Sequence, residues 1–252
     1  MKVFFDTNVL VGIIDNNVKL SAEHDYFTFE KCVYEIKNGY KARLYDSTFL
    51  NSLLSAQTDN DFSALKPIDR TILDNFIPII SKDNYSEKQL IEIRKALNKY
   101  LLKFEYGIAS EYEFIDLPEN DSIGLLKNLF KQLKILLRTI LTDIDFKIKE
   151  HEIKVLLYEQ IFDLDLAMSN FREILNDSLI NTKDLEIVFA ALKANCNLFI
   201  SSDLPLIKET MTLGLNHTTS FEYLNPDKNI ENEIHKIINT VHNMRYKKLP
   251  GQ

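Results

Sequence analysis

Three aspartates of this chain lie where a parallel sheet would bring polar groups together. Asp6 follows an apolar run at residues 3–5, and Asp203 follows a second short apolar run at residues 198–200. Asp184 stands in the first turn of the helix predicted just before that second run. Because ligands of open α/β sheets bind at the carboxyl ends of the strands, these three side chains can converge at one edge. Clustered carboxylates are the oxygen donors that a Mg2+ or Mn2+ site requires.

Each of these aspartates also has an explanation that needs no ligand. Asp6 could cap the helix that follows it, and Asp203 could cap the helix that begins one residue later. Asp184 would be favoured by the positive end of its own helix. Since all three occur in order within one strand and helix pattern, a shared site is the preferred interpretation.

The composition limits the class of protein. The hydrophobic fraction of 45% and the charged fraction of 27% are ordinary for a globular protein, and no apolar run is long enough to span a membrane. Asp6 interrupts the first apolar stretch too early for a secretory signal, so we expect a cytoplasmic location. The net charge of -7 argues against binding nucleic acid through bulk positive charge, although a local basic stripe would still bind phosphates.

Cysteine and histidine chemistry is not indicated. Cys32 and Cys196 lie in dissimilar contexts without a CxxC motif, and the five histidines have no spacing typical of metal ligands or of a catalytic dyad. Carboxylates without a nucleophilic cysteine, a catalytic triad or a phosphate-binding loop leave metal-assisted hydrolysis of phosphodiesters as the best fit.

The residues around the aspartates resemble the PIN domain family of metal-dependent ribonucleases. The resemblance rests on Phe-Asp6-Thr-Asn-Val-Leu, on Asp184 opening an alanine-containing helix, and on Ile-Ser-Ser-Asp203 after the next strand. The passage from Leu213 to Leu224 also looks like the last helix-to-strand passage of that family. The match covers about the first 60 residues and the segment from about 178 to 225.

The resemblance implies both a fold and an activity. The fold would be a three-layer α/β/α sandwich with a mainly parallel central sheet. The activity would be that of an endoribonuclease, in which Asp6, Asp184 and Asp203 hold Mg2+ or Mn2+ and a bound water attacks single-stranded RNA. Asn8 and Ser202 would orient these ligands.

The sequence departs from the family at one ligand position. The family has an acid, usually Glu, on the helix after its second strand. With that strand predicted at residues 41–46, the equivalent position is Asn51, which would supply a neutral oxygen. Asp46, at the predicted strand end, is the alternative ligand. A site with one carboxylate fewer should bind divalent ions less firmly.

The rest of the chain is predicted to be mostly helical. Residues 1–85 and 177–225 would form the α/β domain, and residues 226–252 a C-terminal helix and basic tail. Residues 86–176 have a helical pattern with scarcely a breaker, so they are expected to form a large all-helical insertion or cap. The strands are predicted near residues 2–6, 41–46, 198–202 and 217–221.

One helix of the predicted insertion has a row of cations. No acid occurs between Asp121 and Asp143, and cations recur there every three or four residues, which places them on one helix face. They are Lys127, Lys131, Lys134 and Arg138. An amphipathic helix with a solvated face is the ordinary explanation, and a row of contacts to RNA phosphates is the functional one.

Three other functions fit parts of the pattern. A PIN-like module that binds RNA or protein without cleavage would account for Asn51. A phosphatase of the haloacid dehalogenase kind would also have Asp6 after its first strand, but it would need an acid where Asn8 stands. Because the PIN family includes many toxins, an enzyme held inactive by a partner antitoxin is the third possibility.

Overall fold

A parallel sheet organises the computed structural model, which describes residues 1–59, 67–81, 83–104, 121–162, 182–212, 217–218 and 230–247. Within those residues the strands are β1 (Lys2–Phe5), β2 (Asp25–Phe29), β3 (Lys154–Leu156), β4 (Leu198–Ile200) and β5 (His217–Thr218). Their order is β3-β2-β1-β4-β5, and every neighbouring pair is parallel. The expected α/β class with a parallel sheet is confirmed.

The central strand β1 explains the apolar run at the start of the chain. Val3, Phe4 and Phe5 are all fully buried, because β1 is paired on both sides. Phe4 stacks on Phe199 of β4 with ring centroids 5.5 Å apart, and Phe5 stacks on Tyr26 of β2 at 5.4 Å. A strand covered on both faces is continuously apolar rather than alternating, as this one is.

Helices make up most of the described chain. Its helices are α1 (Thr7–Asn16), α2 (Glu30–Tyr45), α3 (Ser47–Asp59), α4 (Pro67–Phe76), α5 (Glu87–Phe104), α6 (Asp121–Glu150), α7 (Tyr158–Ile161), α8 (Thr182–Lys193), α9 (Leu204–Thr212) and α10 (Ile230–Lys247). None of the helices in the described ranges has the length and apolar character needed to cross a bilayer.

The chain divides into two compact units. Residues 1–36 and 145–252 form the first, which we call the sheet unit because it contains every described strand. Residues 37–144 form the second, the helical unit, and its described residues contain helices and turns only. Two helices, α2 and α6, continue across the boundaries between the units.

In the sheet unit, two asparagines lie in the connection from helix α8 to strand β4. Asn195, just after α8, has a left-handed backbone with φ of 53°, which asparagine tolerates better than most residues. Asn197 then pairs with the start of β1: its N–H donates to the Lys2 carbonyl at 2.8 Å, and its Oδ1 accepts from the Lys2 N–H at 2.9 Å. These bonds fix the register in which β4 lies beside β1.

The helical unit has its own apolar core and polar contacts. Helices α3 and α5 pack against each other, and Tyr45 stacks on Phe130 of α6 with ring centroids 6.4 Å apart. The Tyr85 hydroxyl accepts a hydrogen bond of 3.0 Å from Nδ2 of Asn128. Leu50 and Leu133 are fully buried.

The predicted second strand, at residues 41–46, is wrong. Residues 41–45 belong to helix α2, and the second strand is β2 at Asp25–Phe29. Buried Ile36, Tyr40 and Leu44 follow one another every four residues, which is the period of a helix face. The other predicted strands coincide with β1, β4 and β5, and residues 219–221 lie outside the described residues.

The prediction that residues 86–176 contribute only helices is also wrong. Strand β3 lies inside that block and pairs with β2, with Leu156 opposite Phe29. The chain passes from one unit to the other at residues 36/37 and 144/145, whereas the sequence predicted boundaries at 85/86 and 176/177. The first boundary is earlier than predicted because α3 packs on α5 in the helical unit. The second is earlier than predicted because β3 belongs to the sheet. Residues 163–176 are not among those described.

Candidate carboxylate site

The sheet order creates a crevice between β1 and β4. Strands β2 and β3 extend from β1 in one direction, and β4 and β5 extend in the other. In open parallel sheets, ligands bind at the carboxyl ends of the strands at such a reversal of order. Asp6 follows β1 at this place, and Ser201 and Asp203 follow β4. The Asp6 N–H donates to the Ile200 carbonyl at 3.1 Å, so the two strand ends stay joined up to the acid.

Asp6 is a buried carboxylate with both oxygens engaged. It is the N-cap of α1, and its Oδ1 accepts from the Thr7 N–H at 2.6 Å, while its Oδ2 accepts from the Ser201 hydroxyl at 2.6 Å. Burial raises the pKa of Asp6 to about 6, these two hydrogen bonds lower it in part, and the charges of Glu35 and Asp203 raise it again. Its role as a helix cap is confirmed, and it does not conflict with a site.

Asp203 also combines a cap with a place at this edge. Its Oδ1 accepts from the Leu206 N–H at 3.2 Å, in the first turn of α9. Its own N–H donates to the Ser201 hydroxyl oxygen at 3.0 Å. Ser201 therefore links the two aspartates, because the same hydroxyl donates to Asp6 and accepts from Asp203.

Asp184 lies in the first turn of α8, as expected, and is half-buried. Burial raises the pKa of Asp184, the charges of Asp203 and Glu35 raise it further, and the charge of Lys31 opposes them. The three aspartates predicted from the sequence thus lie in one electrostatic neighbourhood.

Glu35 is the acid that the sequence prediction missed. It lies on α2, the helix that follows β2, and its Oε2 accepts a 2.7 Å hydrogen bond from the Thr7 hydroxyl. Its charge raises the pKa of both Asp6 and Asp184. Glu35 therefore lies on the helix after the second strand, which is where the sequence analysis expected an acid. The signal for it was the run Asp-Tyr-Phe-Thr-Phe at residues 25–29, rich in the aromatic and β-branched residues that favour strands.

Asn51 and Asp46 were assigned to the site through the mistaken second strand. Both belong to the helical unit. Asn51 Oδ1 accepts from Nε of Arg94 on α5 at 3.2 Å. Asp46 is the N-cap of α3, since its Oδ1 accepts from the backbone N–H groups of Thr48 and Phe49 at 2.9 and 3.0 Å.

Asn8 and Ser202 were predicted to orient the metal ligands, and the structure shows no hydrogen bond from either of them to the described aspartates. Asn8 lies in the first turn of α1 and is exposed. Ser202 is half-buried, but the hydrogen bond expected from it comes from the preceding residue, Ser201, which is fully buried. Both serines follow the same strand, so the sequence alone gave no way to choose between them.

The donor set suits a hard divalent cation. Asp6, Glu35, Asp184 and Asp203 offer only carboxylate oxygens, which Mg2+ and Mn2+ prefer. In the described ranges, no three acidic, histidine or cysteine side chains already converge closely enough to hold one ion. Binding would bring these side chains closer together, and the cation would offset the burial and the charge repulsion that raise the pKa of Asp6 and Asp184.

One ion pair lies beside these acids. Lys31, in the first turn of α2, pairs with Glu186 of α8, and less than a fifth of each side chain is exposed. The Lys31 charge lowers the pKa of Asp184. Lys31 is therefore a cation that is paired with Glu186 and whose charge also acts on Asp184.

The basic stripe lies on α6 in the helical unit, as the sequence predicts. Lys131, Lys134 and Arg138 are exposed and Lys127 is half-buried. Apolar residues on the other face are buried, namely Leu126, Leu129, Phe130, Leu133, Leu136, Leu137 and Ile140. The amphipathic helix is confirmed, and a role in RNA binding stays a prediction.

Comparison with known proteins identifies no similar protein. The chain matches no protein-family model, no curated protein and no solved structure. Its class is therefore defined by its own fold and site: an α/β protein with a parallel sheet and a group of acids at the point where the strand order reverses.

Proposed function

We propose that this chain is a PIN-like, metal-dependent endoribonuclease that hydrolyses single-stranded RNA. The observation that supports the proposal most strongly is that four acids from four separate elements lie around the reversal of strand order, close enough for their charges to act on Asp6 and Asp184. They are Asp6 after β1, Glu35 on α2, Asp184 on α8 and Asp203 after β4. Glu35 also removes the main argument for a relative without catalytic activity, which was an asparagine in place of the fourth acid.

These acids would hold one or two Mg2+ or Mn2+ ions. A divalent ion bound there lowers the pKa of a coordinated water and neutralises charge on a phosphodiester. Ser201 fixes Asp6 and Thr7 fixes Glu35, so both carboxylates are oriented before a ligand arrives. Lys31, beside Asp184, supplies a positive charge for an approaching phosphate. The basic stripe on α6 would add phosphate contacts.

Cleavage and metal binding should be measured separately. A labelled single-stranded RNA should be cut in Mn2+ or Mg2+ and remain intact in EDTA, and calorimetry should detect Mn2+ binding. Asp6→Asn, Asp184→Asn and Asp203→Asn should each abolish cleavage and weaken Mn2+ binding. Asn8→Ala, on the exposed side of α1, is the matched control and should retain both.

Two results would contradict the proposed nuclease function. If the wild type neither cuts RNA nor binds Mn2+, Asp6 and Asp203 are helix caps only, and the grouping of the four acids has no catalytic meaning. If it binds RNA but does not cut it with either metal, a PIN-like binding module is the better conclusion.

A further inference from the structure

The strand that the sequence analysis missed brings an aromatic side chain to the acidic edge of the sheet. Strand β3 runs parallel to β2 with Leu156 opposite Phe29, so the residues after β3 emerge at the same edge as those after β2. The first residue of α7, Tyr158, donates its N–H to Oε1 of Glu30 at 2.7 Å. This bond holds the start of α7 against the start of α2.

The Tyr158 ring is supported from within the protein and open to solvent. It stacks on Phe162 with centroids 4.5 Å apart and an angle of 25° between the rings. Phe162 in turn stacks on Phe189 of α8 at 5.4 Å. Phe162 is buried, whereas Tyr158 remains 43% exposed. A tyrosine fixed on buried rings presents a flat surface at little cost in side-chain entropy.

The strand that leads to Tyr158 lies two positions from the strand that leads to Asp6. Neighbouring strands are about 4.8 Å apart, so β3 lies roughly 10 Å from β1, whose end carries Asp6. A series of charge interactions also connects Tyr158 to Asp184. Glu186 acts on the Tyr158 hydroxyl and pairs with Lys31, which acts on Asp184. A nucleic acid with a phosphate at the acids would therefore have a base within reach of Tyr158.

We propose that Tyr158 is a stacking platform for a base of single-stranded RNA bound across the carboxylate site. This inference rests on the proposed function and adds to it the residue that would bind a base of the substrate. Any base offers an aromatic face and tolerates stacking, whereas a base within a duplex is already stacked and cannot be offered to a side chain. The acidic surroundings favour a neutral ring over an anionic group, and the phosphates next to that base would face Lys31 and the metal ligands.

The test uses a single-stranded RNA decamer that carries one 2-aminopurine, whose fluorescence falls on stacking. Binding is measured by anisotropy with the full chain in Ca2+, an ion of the same oxygen preference that is expected not to support cleavage. Tyr158→Ala should raise the Kd roughly ten- to a hundredfold and remove the quenching. Tyr158→Phe should keep both, because the ring is retained. Tyr158→Leu keeps apolar bulk on Phe162 and should behave like Tyr158→Ala, which guards against a folding defect in the alanine variant.

Two controls make the result specific to a stacked base. Phe146 is also an exposed aromatic residue of the sheet unit, but it lies near the end of α6 that leads to the amino end of β3. Phe146→Ala should bind like the wild type. A decamer with an abasic position in place of the 2-aminopurine should bind more weakly to the wild type, and should no longer distinguish it from Tyr158→Ala.

The possible outcomes separate this inference from the proposed function. Unchanged affinity in both Tyr158→Ala and Tyr158→Leu would overturn the platform, as would an equal loss in Tyr158→Phe or an equal loss on the abasic RNA. If the wild type shows Mn2+-dependent cleavage while these variants bind RNA normally, the proposed nuclease function is supported and the stacking role of Tyr158 is wrong. If base-dependent binding is lost in the variants but the wild type cuts no RNA with any metal, the stacking role of Tyr158 is supported and the proposed nuclease function is wrong.

Discussion

The hydroxyl of Thr7 donates a 2.7 Å hydrogen bond to Glu35. The same residue donates its backbone N–H to Oδ1 of Asp6 at 2.6 Å. Thr7 therefore connects a carboxylate at the end of β1 to one on the helix after β2, and both are aligned by groups that are fixed in the fold. Burial raises the pKa of Asp6 and the charge of Glu35 raises it further, so Thr7 holds a buried carboxyl beside a second acid, which is the arrangement of a site prepared for a cation.

Replacing Glu35 by Gln should abolish or strongly reduce cleavage. Gln keeps an oxygen that accepts from Thr7 and removes the charge, so the fold should be retained while Mn2+ affinity falls by at least about tenfold. Calorimetry and RNA cleavage measure both effects. Asn51→Ala is the matched control, because the amide of Asn51 is bonded to Arg94 in the helical unit. Full activity in Glu35→Gln would contradict the assignment of Glu35 as the fourth metal ligand.

The burial of Asp6 predicts a pH dependence of stability in the absence of metal. Its pKa is about 6 in the folded chain, against 3.8 for the unperturbed carboxyl. Because the folded pKa is the higher one, the stabilising contribution is complete below pH 3.8 and is lost as the pH rises through 6. Above that pH the ionised carboxylate should reduce the free energy of unfolding by about 3 kcal/mol.

The Asp6→Asn variant isolates this effect. Urea unfolding in EDTA should show the wild type losing stability between pH 3.8 and about pH 6 relative to the variant, which has no carboxyl to ionise at position 6. Adding Mn2+ at pH 8 should restore stability to the wild type only. Parallel pH profiles for the two proteins would show that Asp6 titrates normally.

The two serines after β4 should differ in effect although they are neighbours. Ser201→Ala removes the hydroxyl that donates to Asp6 and accepts from Asp203. Because that bond lowers the pKa of Asp6, its loss should shift the acidic limb of the cleavage profile to higher pH and weaken Mn2+ binding by roughly 10- to 100-fold. Ser202→Ala is the matched control and should keep both values. Equal effects from the two variants would contradict a specific role for Ser201.

The basic stripe on α6 makes a prediction about salt. Replacing Lys127, Lys131, Lys134 and Arg138 by Gln should weaken RNA binding, and each lost phosphate contact should reduce the slope of log Kd against log salt by about one. Affinity is measured between low and moderate ionic strength. An unchanged slope would leave the stripe as the solvated face of an amphipathic helix.

Some of this fold could be predicted from the sequence because its signals are local. Strands β1 and β4 are apolar runs followed by acids, and Asp184 opens a helix with a clear apolar face. These patterns need no knowledge of distant residues, so the three aspartates were placed correctly. The resemblance to the PIN family used the same residues.

The parts that were missed depend on pairing between distant segments. β3 has only three residues, half-buried or exposed, and it is a strand because β2 lies beside it. β2 shows no alternation of apolar and polar residues because four of its five residues are buried, and its Phe29 is covered by Tyr158 and Phe162 far along the chain. Glu35 could be recognised only after β2 was placed correctly, so one misplaced strand moved the expected ligand by sixteen residues, from Glu35 to Asn51.

The hydrogen bond between Ser201 and Asp6 joins residues 195 positions apart in the chain. During synthesis on a ribosome, Asp6 emerges first and waits for its partner until almost four fifths of the printed sequence has been translated. The central strand lacks β4 for the whole of that interval. A nascent chain therefore cannot complete the four-acid group before Ser201 and Asp203 have left the ribosome, although Asp6 and Glu35 are made near the start.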